Sequence, residues 1–168
     1  IGNTTVTEEW TTISGTWVVP DTTDPIAVYL GTSDWTVEET STSYDYLLDD
    51  LSITYEEAES DCTPTDPTTV PLVSTDFESG TWDDVTGWVS SGGPTLSVVD
   101  DGEGKALLVE GRSADYVGIE TAVGLFDGVP AGTTVNISGK YRLAADGPGE
   151  SSARFVGKPG YNWIGNTA

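Results

Sequence analysis

Apolar and polar side chains alternate with a period of two along most of this chain. No segment holds the helical period of about 3.6 residues for three turns. Residues 9–19, with Trp10, Ile13 and Trp17, form a β-rich stretch ended by Pro20, and 25–30 follow a Thr/Asp turn. Within 46–55, strict alternation places Leu47, Asp49, Leu51, Ile53 and Tyr55 on one face. Further strands are expected at 75–78, 95–99, 106–110, 116–123, 133–143, 151–156 and around 161–164. Pro130-Ala131-Gly132 and Asp146-Gly147-Pro148-Gly149 supply turns between them. The pattern predicts an all-β fold, two sheets packed face to face as a β-sandwich. A carboxylate on an apolar face costs several kcal/mol unless it is compensated, so Asp49 requires a cation or hydrogen-bond donors.

The alternation stops between Glu56 and Pro71, where three prolines, acidic residues and threonines form a segment without periodicity. Such a composition reads as an extended, solvated linker. Strands nonetheless run up to both ends of the chain, and the word Ile1-Gly2-Asn3-Thr4 returns as Ile164-Gly165-Asn166-Thr167. A repeat cut inside a domain produces this arrangement. The expected organisation is therefore residues 1–56 as the C-terminal half of a sandwich, 57–71 as a linker, and 72–168 as the N-terminal half of the same or the next repeat. Three arrangements fit: a continuous tandem polypeptide, separate subunits that complete one another by strand exchange, or an engineered circular permutant.

Composition narrows the function. The chain has 168 residues, 28 acidic against 6 basic side chains, a net charge of -22, no His and one Cys. Such charge repels phosphate backbones, which argues against nucleic acid or anionic membranes as partners. Without His, Ser-His-Asp and Cys-His catalysis is excluded, and so is the commonest transition-metal ligand. Cys62 has no intrachain partner with which to form a disulfide. The sequons Asn3-Thr4-Thr5 and Asn136-Ile137-Ser138 are compatible with secretion. The sequence shows no signal peptide and no apolar run long enough to span a bilayer, so it reads as a mature or excised segment without membrane insertion.

Read from Leu72 to the end and on from the beginning to Tyr55, the sequence resembles carbohydrate-binding modules of the β-jelly-roll group, families 4, 9 and especially 22. Asp76-Phe77-Glu78-Ser79-Gly80 with Gly87-Trp88 is similar to the family's Asp-Phe-Glu-x-Gly opening and its Gly-Trp. Gly104-Lys105-Ala106-Leu107-Leu108-Val109-Glu110-Gly111-Arg112 resembles its Ser-Leu-x-Val-x-Gly-Arg strand. Pro130-Ala131-Gly132-Thr133-Thr134-Val135 resembles its Pro-Gly-x-Thr-Tyr-x-Val strand. Glu9-Trp10-Thr11-Thr12-Ile13-Ser14-Gly15-Thr16-Trp17 and Tyr46-Leu47-Leu48-Asp49-Asp50-Leu51-Ser52-Ile53 match two further motifs, all in permuted order.

The resemblance implies a jelly-roll sandwich without catalytic activity and a structural calcium at one edge. Glu78 and Asp49 match its acidic positions, and carbonyls come from the loop ending at Lys105. Calcium takes roughly six to eight oxygens, and such an ion would also answer the Asp49 charge. For polysaccharide, the resemblance places Tyr116 where the family has a stacking Trp, and Arg112 at its arginine. Tyr29, Trp35, Tyr161 and Trp163 are further aromatic candidates, because flat rings give sugars a rigid apolar platform. Trp10, Trp17, Trp88 and Phe77 are assigned to the core. Two positions depart from xylan-binding members: Val89-Ser90-Ser91-Gly92-Gly93 replaces Gly-x-Arg-Gly, and Gly31 stands where a Glu is usual. The function expected is a secreted, extracellular repeat of a fibre, stalk or adhesin, with neighbouring copies of itself as partners. The alternative is a xylan- or β-glucan-binding module of a secreted polysaccharide-degrading enzyme.

Overall fold

A computed structural model describes residues 4–32, 44–57, 68–145, 147 and 149–165. Its strands are β1 (Thr4–Val6), β2 (Thr11–Val18), β3 (Ala27–Thr32), β4 (Tyr46–Glu57), β5 (Thr68–Thr75) and β6 (Trp88–Ser91). They are followed by β7 (Thr95–Asp100), β8 (Lys105–Glu110), β9 (Gly118–Thr121), β10 (Thr134–Leu143), β11 (Ser151–Lys158) and β12 (Asn162–Ile164), with one 3-10 turn at Trp82–Asp84. Two antiparallel sheets face each other, in the orders β1-β11-β3-β9-β6 and β2-β10-β4-β8-β7. In addition, β12 pairs with β11 and β5 with β4. The chain is an all-β, two-sheet sandwich.

Strands from within residues 4–57 and from within residues 68–164 interleave in both sheets. Strand β10 runs between β2 and β4, and β3 runs between β11 and β9. Strand β5 begins at Thr68, inside the stretch read from sequence as a linker, and Thr68 faces Glu57 at the end of β4. The former linker is thus bracketed by two paired strands of one sheet. Cys62 lies outside the described residues.

Alternation explains the core. Val135, Ile137, Tyr141 and Leu143 point inward from β10 while Asn136, Ser138, Lys140 and Arg142 point out, and Ile13 and Trp17 do the same on β2. Trp17 meets Phe126 edge-on at 5.9 Å. The sheets approach closely because Gly157 lies under the Trp17 indole, where an added Cβ would sit 2.5 Å from the ring. Trp17, Trp88 and Phe77 are core residues as expected. Trp10 is not: it lies half-buried on the outer side, under Arg142 at 5.1 Å, with its indole N–H donating to Asp101.

The expected single face of β4 is also corrected. Ser52 faces Ser138 and Asp49 faces Lys140, so three steps along β4 oppose two along β10, with Asp50 at φ 49°. This β-bulge reverses the parity of the strand. Tyr46 and Leu48 point into the core before it, Leu51 and Ile53 after it, and Asp49 turns outward. Leu47 also leaves the set, lying opposite Arg142 and Leu108.

Candidate glycan-binding face

The outer face of the β11-β3-β9 sheet gathers most of the aromatic candidates. Val28 and Leu30 are fully buried, which turns Tyr29 outward from β3; Ala153 and Phe155 do the same for Arg154, Val156 and Lys158 on β11. The register then sets one row across five strands, running Trp163, Val156, Tyr29, Glu120, Val89. Trp163 is 41% exposed and Tyr161 is 65% exposed. Gly160 and Tyr161 both adopt positive φ, and this turn carries the Tyr161 ring outward between β11 and β12. Gly31 has a specific use: the edge of the Tyr29 ring lies 3.5 Å from where a Cβ would stand, so the ring lies across the glycine.

Polar groups surround these rings. The Arg154 guanidinium stacks 3.9 Å from the Trp163 ring centre and is itself buried. The Lys158 ammonium lies 4.9 Å from the Tyr29 ring centre and 2.8 Å from the Glu120 carboxylate. Burial raises the Tyr29 pKa above the ordinary phenol value, with Arg154 acting against it and Asp115, Tyr161 and Glu120 acting with it. The phenol therefore stays protonated, a hydroxyl able to donate at the edge of an aromatic platform. Burial also lowers the Arg154 pKa, opposed by Asp115 and Tyr29.

Tyr116 is 59% exposed and stands beyond the end of β3, where the Thr32 N–H donates to the neighbouring Asp115 carbonyl. Arg112 does not join the face. It is buried, it donates to the backbone carbonyls of Val117, Tyr44, Ala114 and Asp115, and its guanidinium lies 4.7 Å from the Tyr46 ring centre. Its donors are engaged inside the protein, so it holds the loop that carries Tyr116 rather than meeting a ligand. Trp35 lies outside the described residues.

The residues read for calcium each have protein partners. Glu78 accepts the Lys105 N–H at 2.8 Å. Asp49 accepts the Asp50 N–H at 2.7 Å and faces the Lys140 ammonium at 4.0 Å, which pairs more closely with Asp50 at 2.6 Å. Burial raises the Asp49 pKa, while the Asp50 N–H and Lys140 hold it down. Among the described residues no three acidic or thiol side chains gather to hold a metal. The Glu78 and Asp49 carboxylates thus each accept one backbone N–H from the protein.

Sequence reasoning missed Arg154, Lys158 and Glu120. The available signal was parity: two of the six basic residues sit two positions either side of Val156, opposite in phase to Ala153 and Phe155. No family model matches the chain, and neither a curated protein nor a solved structure matches it.

Proposed function

We propose that this protein is a non-catalytic glycan-binding β-sandwich of the carbohydrate-binding-module kind, which lays a polysaccharide chain across the outer face of the β11-β3-β9 sheet. The observation that carries the reading is the convergence of Tyr29, Tyr161 and Trp163 with Arg154, Lys158 and Glu120. Exposed rings offer sugars stacking area, and the Tyr29 hydroxyl with the Lys158–Glu120 pair beside it offers hydrogen bonds, while buried Arg154 backs the Trp163 ring. A neutral polymer suits the face, because its cations are already engaged by Trp163, Tyr29 and Glu120. Polysaccharides of this kind are extracellular, which places the protein outside the cell in this reading.

Affinity electrophoresis against xylan, mixed-linkage β-glucan and cellulose tests it. The wild type is retarded by at least one polymer, and Tyr29→Ala or Trp163→Ala weakens retention about tenfold or more while leaving the fold intact. Absence of retardation on every polymer overturns the proposal.

A second reading concerns assembly, and a separate observation favours it. Strands β12 and β1 follow one another along the same edge of β11, in the same direction: Ile164 faces Phe155 and Thr4 faces Ala153. Together they fill one strand line, and the tetrapeptide at 164–167 repeats that at 1–4. Copies joined in tandem, or exchanging the first strand, would meet at this edge, giving the extracellular fibre or stalk that the repeat suggests. The mass of native material under denaturing conditions separates the cases. A ladder or multiple of this length supports tandem linkage, and a single length in an associated protein supports strand exchange. A single length that remains monomeric in solution overturns both.

A further inference from the structure

The other outer face of the sandwich, on β2, β10 and β4, is built differently. Asn136 lies between Val135 and Ile137, which are 0% and 1% exposed, so its side chain projects outward, and it is exposed. Thr16 faces it from β2 and Thr54 from β4, while Ser138 faces Ser14 and Ser52. A shallow depression lined by Thr12, Ser14, Thr16, Asn136 and Ser138 runs between β2 and β10. None of these side chains is charged, on a protein with 28 acidic residues.

We infer that Asn136 carries a covalent N-linked glycan whose first sugar rests on this hydroxyl-lined depression. Asn136-Ile137-Ser138 satisfies the acceptor pattern, and both its polar side chains point outward. The donor class is a sugar linked through diphosphate to a lipid. The Asn136 Nδ2 attacks the anomeric carbon, and a C–N bond forms as the C–O bond to phosphate breaks. The diphosphate leaves with the electron pair, and the amide proton passes to the transferring enzyme. Attachment precedes pairing of β10, which is a central strand, and the outward side chain leaves the glycan accommodated after folding. Because the aromatic platform lies on the opposite sheet, the modification does not cover it; the inference rests on the extracellular placement in the proposed reading but not on glycan binding by that platform.

The test uses protein purified from its natural host. Cleavage after Arg112 and Lys140 releases residues 113–140 as one peptide. The expected result is that this peptide carries the added mass of one or more sugar residues, with fragment ions placing them on Asn136. The mass disappears in Asn136→Gln and Ser138→Ala and persists in Ser138→Thr, which keeps the acceptor hydroxyl. An unmodified 113–140 peptide, sugar located on Thr133 or Thr134, or a mass retained in Ser138→Ala overturns the inference.

Discussion

Replacing Arg112 distinguishes a residue that holds the fold from one that holds a ligand. The guanidinium donates to four backbone carbonyls, stacks on Tyr46 and is only 7% exposed. Hydrogen bonds to a charged group contribute about 1.5–3 kcal/mol each in net terms, but they are not additive in one cluster. Removing one side of a buried charged network typically costs about 3–5 kcal/mol, because the remaining polar groups lose their partners. We expect Arg112→Ala to destabilise by about 4 kcal/mol, a large part of the roughly 5–15 kcal/mol of an ordinary domain. Arg112→Lys should lose about half as much, since an ammonium has three donors and no planar fork. Urea unfolding followed by tryptophan fluorescence reads this directly. With a slope of about 2 kcal/mol per molar, the alanine variant's midpoint falls by roughly 2 M at unchanged slope. A midpoint equal to wild type, together with lost glycan retention, would refute the reasoning and return Arg112 to the binding site.

Three further outcomes follow from the same geometry. Burial pushes the Tyr46 phenol up to about 12, and Tyr141, stacked on it at 4.9 Å, well above the ordinary value of 10. The folded state therefore keeps a proton that the unfolded state releases. Stability is full below pH 10 and falls by roughly 3 kcal/mol as pH rises to about 12 for Tyr46 alone. In an absorbance titration the Tyr46 and Tyr141 phenols should ionise above the ordinary value, and their ionisation near 10 in the folded protein would contradict this. Screening of the -22 net charge should raise the melting temperature between 0.1 and 1 M NaCl, where the Debye length falls from about 10 to 3 Å. A flat or falling profile would show that self-repulsion is unimportant. Because Glu78 and Asp49 already have protein partners, a calcium chelator should leave the thermal midpoint unchanged. A drop of several degrees would restore them as calcium ligands.

The sandwich was legible wherever one face of a strand is buried and the other wet, as on β2, β3 and β10. It was less legible where the pattern is locally ambiguous. Tyr46-Leu47-Leu48 is apolar at every position, so its parity depends on a bulge that only the partner strand reveals. Strand β5 was hidden by Pro71, which a strand tolerates here because β5 pairs on one side only and the ladder is irregular at that point. Tyr29, Tyr116, Tyr161 and Trp163 were readable as aromatic candidates. Their surroundings were not, because Arg154, Lys158 and Glu120 reach them through cross-strand register, a property of pairing rather than of local sequence. Arg112 shows the opposite case: a motif resemblance singled out the position, while its burial and four backbone carbonyl partners came only with the fold.

The pairing of Glu57 with Thr68 changes what the acidic, proline-containing stretch between them means for the molecule. A segment whose two ends are clamped side by side sets no spacing between domains, however many residues it holds. The entropic cost of joining Glu57 to Thr68 grows only slowly with the number of residues between them, by about 0.6 kcal/mol for each doubling. A tag or a whole domain inserted between Glu57 and Thr68 would then enter where the chain leaves the sheet and returns to it, not within a paired strand.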